Sequence, residues 1–191
     1  LIRDLSGIIE RRNWDDGVQP SDVAAQAAEK AIADAGVRPD QLGILVNTSV
    51  CRDYIEPSTA CIVHSKLGLP ETCMNFDLGN ACLAFINGMD MVGNMIEQGQ
   101  IDYGIVVNGE SSKFSTEKTI ERLLDPEVDE ATFRANFATL TLGSGSAAMV
   151  QFSPLPIPIN AIRSPLFNSP ASLSLERTMG TPAGPMLAKF G

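Results

Sequence analysis

At 191 residues the chain is long enough for one domain with a well-buried core, and 44% apolar with 19% charged residues is the composition of a water-soluble globular protein. The net charge of −9, with no cluster of Lys or Arg, excludes a nucleic-acid surface, which needs a basic footprint, but leaves room for a small anionic ligand held locally. No apolar run approaches the roughly 20 residues that cross a bilayer, and the opening Leu1-Ile2-Arg3-Asp4 lacks the n-region and h-region of a signal peptide, so the expected location is the cytoplasm.

In chain order, Ser21 is the expected N-cap of a helix over the Ala-rich run Val23 to Ala35, with Gly36 as its stop. Gly43 to Ser49 reads as a short buried strand. Pro57-Ser58 opens a second helix through Ile62 and Val63 to Leu67, closed by Gly68. Met74 to Asp77 is the next strand, Gly79-Asn80-Ala81-Cys82 a tight turn, and Leu83 to Gln98 a third helix stopped by Gly99. Tyr103 to Asn108, rich in β-branched residues, follows as a strand. Helices alternating with strands in this way predict an α/β layered domain.

The helix after Cys82 has Leu83, Phe85, Ile86, Met89, Met91, Val92, Met95 and Ile96 on nearly every side. That pattern predicts a buried helix, with Gly88 and Gly93 admitting other backbones to close range. Ser115 to Ala138 is polar and charged and predicts surface helices around a turn at Asp125-Pro126. Thr139 to Phe152 holds a Gly-Ser-Gly-Ser turn and the strand Ala147 to Val150. Residues 1–152 are therefore read as the folded unit. Residues 153–191, where seven of the twelve prolines lie, are read as a Pro-rich tail to which no function is assigned.

The four cysteines, Cys51, Cys61, Cys73 and Cys82, form no CxxC pair, and His64 is the single histidine, so no metal site is expected. Most such thiols are buried filler. Cys82 differs in following a Gly-containing turn at the start of a long helix, where the dipole and free N–H groups favour a thiolate and could stabilise a thioester oxyanion. Read from the residues alone, Cys82 is either that nucleophile or inert filler. His64, inside a helix between Val63 and Ser65, reads as a packing or surface residue rather than its base.

Several segments are recognisable. Ser6-Gly7-Ile8-Ile9-Glu10-Arg11-Arg12, Pro57-Ser58-Thr59-Ala60-Cys61 with Leu67-Gly68, Asn80-Ala81-Cys82-Leu83-Ala84-Phe85 and Val106-Val107-Asn108-Gly109-Glu110 occur in the order found in β-ketoacyl-acyl-carrier-protein synthase III. Over about residues 5 to 150 the chain resembles that family of the thiolase superfamily. The resemblance implies the N-terminal half of a thiolase-like layered α/β fold (α-β-α-β-α), incomplete at its start for want of a first strand. It also implies a homodimer, and ping-pong acyl transfer through Cys82. No permanently bound cofactor is implied; coenzyme A enters as the thioester substrate, and an acyl carrier protein is a candidate partner.

One departure is informative. The residue before Pro57 is usually apolar in synthase III sequences, but here it is Glu56. Ser49-Val50-Cys51-Arg52-Asp53-Tyr54-Ile55-Glu56-Pro57 is more similar to the head-to-head acyl-CoA condensing enzymes of bacterial long-chain olefin synthesis. In that branch a glutamate at this place reaches into the active site of the other subunit. A malonyl donor makes its carbanion by losing carbon dioxide, whereas a plain acyl-CoA must lose an α-proton, for which a buried carboxylate serves as base. Without the resemblance Glu56 reads as a solvated loop carboxylate.

Two further departures stand out. Nothing in the tail matches the family's catalytic His and Asn motifs, and Gly143-Ser144-Gly145-Ser146 replaces the family's Gly-Asp-Gly-Ala. The expected function is Claisen condensation of acyl thioesters to a β-keto product through acyl-Cys82, in fatty-acid or long-chain olefin biosynthesis. The alternatives are decarboxylative condensation with malonyl-acyl-carrier protein, which starts fatty-acid synthesis, and a non-catalytic thiolase-like assembly subunit. A cysteine hydrolase lacks a histidine in a suitable context.

Overall fold

A computed structural model describes residues 2–153. The expected tail, residues 153–191, lies outside them apart from Ser153. After a short helix α1 (Ile2–Ser6) come α2 (Pro20–Ala35), β1 (Leu42–Asn47), α3 (Thr59–Lys66), β2 (Met74–Asp77), α4 (Ala84–Glu97), β3 (Tyr103–Glu110), α5 (Lys113–Leu123), α6 (Glu130–Asn136) and β4 (Gly145–Phe152). The four strands form one sheet in the order β2-β1-β3-β4. β1 runs parallel to both neighbours, in register Asn47 to Asp77 on one side and Asn47 to Val107 on the other; β4 is antiparallel to β3.

Strand alternation divides the core into two layers. Leu45, Ile105, Val107 and Val150 face α2 and α3, meeting Ala24, Ala28, Ala60 and Val63. Ile44, Val46 and Val106 face the other way, onto Val92 of α4, with Phe76, Phe85, Met89 and Met95 partly buried around them. The described residues thus form three layers, helix, sheet, helix, of the five expected for the complete fold.

The start of α2 departs from expectation. Gln19, not Ser21, is the N-cap, because Pro20 occupies the first helical position, where a missing N–H costs nothing. Asp22 reaches back to accept the Gln19 amide at 2.9 Å. Ser21 is buried inside the first turn, and its hydroxyl accepts from Lys66 of α3 at 2.8 Å. Gly36, Gly68 and Gly99 all adopt the left-handed backbone expected of helix stops.

Helix α4 is also less enclosed than its composition predicts. Only Ala84, Gly88 and Val92 are buried, while Leu83 and Ile86 are 58% and 61% exposed. One face packs on the sheet, and no described residue covers the other. Gly88 does admit a close approach: a Cβ there would lie 3.0 Å from Val106 and 3.1 Å from Thr48. At Gly93 a Cβ would meet only the end of the Gln151 side chain, at an ordinary 3.7 Å.

Candidate active site

β1 and β2 end level with each other, at Asn47 and Asp77, while β3 runs past Val107 to Glu110, and at the carboxyl edge of parallel strands successive loops converge on common ground. The loop after β1 carries Glu56, and the loop after β2 carries Cys82. Both predicted site residues therefore leave the same edge of the sheet from adjacent strands.

Cys82 is exposed. It lies in a 3-10 turn, Ala81–Leu83, that runs directly into α4, so the helix begins one residue later than its composition suggested. The sharpness of the turn comes from Ala81, whose φ of 46° is left-handed, and not from Gly79. An alanine held there costs about 1 kcal/mol or more, and such strain clusters at functional sites. The turn is closed by its own backbone, with Leu83 N–H donating to the Asn80 carbonyl at 3.1 Å and Ala84 N–H to the Ala81 carbonyl. Those two amides are therefore engaged, which narrows the oxyanion donors expected at this helix mouth. Asn80 donates to Asn87 at 2.6 Å, tying the turn to the first turns of α4.

Glu56 is exposed as well. The described residues do not supply the burial expected of a base. His64 is no partner for Cys82: its Nε2 lies 3.1 Å from the Pro70 carbonyl, a contact that fixes the end of α3. Among the described residues no cluster of three or more His, Cys, Asp or Glu side chains could hold a metal ion.

Beneath these two residues lies a polar network that the sequence did not reveal. Asn47, fully buried at the end of β1, donates to Asp77 at 2.9 Å and accepts from Ser49 at 2.7 Å. Ser49 Oγ accepts the Gly109 amide at 2.7 Å. Glu110, ending β3, accepts the Val50 and Cys51 amides at 2.7 and 3.1 Å, and Asn108 donates to it at 3.1 Å. The Cys51 thiol donates to the Ser111 carbonyl, and burial raises it above its ordinary value. Asp53 accepts the Ser21 amide at 3.2 Å, an anion at the mouth of α2. The available signal was positional: Asn47, Asp77 and Glu110 are polar residues closing apolar strands at the edge where α/β proteins place their sites.

The Gly143-Ser144-Gly145-Ser146 departure also acquires a structural role. Ser144 is buried, its amide donates to the Arg12 carbonyl at 2.8 Å, and its hydroxyl accepts the Ser112 amide at 3.1 Å and donates to Asn13 at 3.2 Å. It fastens the segment after α1 to the exit of β3. Arg11 bonds the Leu140 carbonyl, and Trp14 Nε1 donates to the Glu110 carbonyl at 2.9 Å, extending the same seam.

Comparison with solved structures shows which fold this arrangement shares. Over 78% of its length the chain matches cerulenin-bound Xanthomonas campestris OleA with a TM-score of 0.76 at 55% identity, and acetamide-bound OleA with the same score and identity. It covers 46% of each of those chains. The matched part of the chain has the thiolase-like fold. By sequence it is similar to the acyl-CoA:acyl-CoA alkyltransferases of Xanthomonas campestris, at 55% identity over 150 residues, and Shewanella oneidensis, at 44% over 147. It is less similar to β-ketoacyl-[acyl-carrier-protein] synthase III of Natranaerobius thermophilus, at 36% over 110 residues. The aligned part is 78% of this chain but 44% of the Xanthomonas alkyltransferase, so the chain spans less than half the length of that relative. No protein-family profile matches the chain.

Proposed function

We propose that this chain supplies the nucleophile-bearing part of a cytoplasmic, homodimeric enzyme that joins two acyl-CoA molecules head to head. The observation that carries this reading is the presentation of Cys82. An exposed thiol follows a left-handed alanine at the mouth of α4, beside the loop bearing Glu56.

In the first step the Cys82 sulfur attacks the thioester carbonyl of an acyl-CoA. A carbon–sulfur bond to Cys82 forms, the bond to the coenzyme A sulfur breaks, and coenzyme A leaves as its thiol. The oxyanion formed on the way is held by backbone N–H groups, the Cys82 amide being among those in the turn that the Leu83 and Ala84 bonds leave to it. In the second step Glu56 of the opposite subunit removes an α-proton from a second acyl-CoA. The resulting carbanion attacks the acyl carbon, a carbon–carbon bond forms, and the bond to Cys82 breaks. The product is a β-ketoacyl-CoA, and the cysteine recovers a proton. The open face of α4, with Leu83 and Ile86, suits the wall of an acyl channel in the complete protein.

Identity to the alkyltransferases exceeds identity to the synthase III proteins, which favours the head-to-head reaction over the malonyl-dependent one. Intact mass of the full-length protein, before and after mixing with a long-chain acyl-CoA, tests the first step. Gain of one acyl group, absent in Cys82→Ser, is expected. A protein that gains no mass with long or short acyl-CoAs is a non-catalytic subunit. Product that forms only when a malonyl thioester is supplied would move the assignment to the synthase III reaction.

A further inference from the structure

We infer that Asp77 is a positioning residue: its carboxylate fixes the arm carrying Glu56 to the strand that leads into the Cys82 turn. This rests on the condensing reading above and adds to it the residue that holds the arm of the base in place.

Asp77 is the last residue of β2, and Cys82 follows it by five positions. One carboxylate oxygen accepts from Asn47 Nδ2 at 2.9 Å and from the Ala60 amide at 2.8 Å, and the other accepts from the Thr59 amide at 3.2 Å. Thr59 and Ala60 are the first two residues of α3, and Glu56 precedes Thr59 by three positions. The next amide, Cys61 N–H, donates to the Ser58 hydroxyl at 3.2 Å. All three leading amides of α3 are therefore taken, two of them by a carboxylate from another strand. A negative group at a helix N-terminus is held both by these bonds and by the helix dipole.

The Glu56 arm is consequently short and pinned at both ends. Upstream, Glu110 takes the Val50 and Cys51 amides, and Asp53 is held by its carboxylate to Ser21 and by its amide to Thr59 Oγ1 at 3.4 Å. Downstream, Asp77 takes Thr59 and Ala60. Only residues 54–58 lie between these anchors, with Glu56 at their centre. The Cys82 turn does not lean on Asp77 in this way, because its closing bonds run between its own backbone groups. Loss of the carboxylate therefore loosens the base more than the nucleophile.

The test separates the two half-reactions in the full-length protein. Asp77→Asn keeps the side-chain size and one acceptor oxygen but presents N–H groups to the α3 amides. Acylation of Cys82, followed by intact mass in a single turnover with a long-chain acyl-CoA, is expected to stay within about threefold of wild type. β-Keto product formation from the preformed acyl-enzyme is expected to slow by about tenfold or more, in kcat rather than KM. The double variant with Glu56→Ala is expected to be no slower than Glu56→Ala alone, since Asp77 acts through Glu56. Equal slowing of both steps, no slowing, or an additive loss in the double variant overturns the inference. If Asp77→Asn does not fold, Asp77→Glu, which retains the charge, is compared with wild type on the same two steps and read by the same outcomes. A wild-type protein that takes up no acyl group overturns the condensing reading, and this inference with it.

Discussion

The four thiols of the chain differ in their surroundings, and those surroundings set which can react. Cys82 and Cys61 are exposed, Cys51 is half-buried, and Cys73 is only 3% exposed. Burial pushes the Cys73 thiol up to about 11, from an ordinary 9.0. Alkylation proceeds through the thiolate, so both access and ionisation protect Cys73. At pH 8, iodoacetamide is expected to label Cys82 while Cys73 stays unmodified until the protein is unfolded, as read by peptide mass mapping. Labelling of Cys73 as fast as Cys82 in the folded protein would contradict its burial. The linkage has a definite sign. Because the folded-state value is raised, Cys73 supports the fold fully below pH 9, and that contribution is lost as pH climbs towards about 11. At this scale the sequence pointed to Cys82 through its turn and helix, but it credited the bend to Gly79. The strained residue is Ala81, and no propensity argument places an alanine in left-handed backbone. Glu56 owed its selection to resemblance rather than to local chemistry. The residues that hold its arm, Asp77 and Glu110, went unnoticed because their partners are backbone amides 17 or more positions away.

Between elements, the close approaches matter more than the boundaries. The start of α2 presses on β3 at Gly109, where a Cβ would lie 2.2 Å from the Pro20 carbonyl oxygen and 3.1 Å from the Ala24 amide nitrogen. Backbone atoms cannot swing aside as a side chain can. Gly109→Ala is therefore expected to cost about 3 kcal/mol in urea denaturation, the upper end for overpacking. An unchanged midpoint would mean that α2 shifts without penalty. The consequence reaches the site, because the Gly109 amide donates to Ser49 and Glu110 is its neighbour. The order of helices and strands was legible from periodicity and glycine stops, and Met74–Asp77 was placed to the residue. Two features were not. Pro20 displaced the cap expected at Ser21, a competition between two good starts that propensity alone does not decide. The enclosure of α4 was overstated, because composition reports how much apolar surface a helix has and not whether anything in the same stretch of chain covers it.

For the whole molecule, the proposed homodimer makes a testable statement about which subunit's Cys82 each Glu56 serves. Glu56 is exposed here, midway along an arm and preceded by Tyr54 and Ile55, which are 62% and 87% exposed. An arm that projects two large apolar side chains directly ahead of a carboxylate is suited to being covered, and cover from a second subunit would give Glu56 the desolvation a base needs. If each Glu56 serves the opposite Cys82, the two defects must complement. In a dimer of a Cys82→Ser subunit with a Glu56→Ala subunit, the intact Glu56 of the first serves the intact Cys82 of the second, restoring one site of two. Random mixing makes half of the dimers hybrids, so full-length proteins co-expressed or refolded together are expected to recover about a quarter of wild-type condensing activity, while either variant alone has almost none. Activity that stays at the level of the separate variants, in a preparation shown by mass to contain hybrids, would place Glu56 in the site of its own subunit or outside the reaction. The same hybrids separate the steps. Acylation needs only Cys82, so half of the subunits should still take up an acyl group whether or not the arm reaches across, and a hybrid that acylates but does not condense would trace the failure to the base.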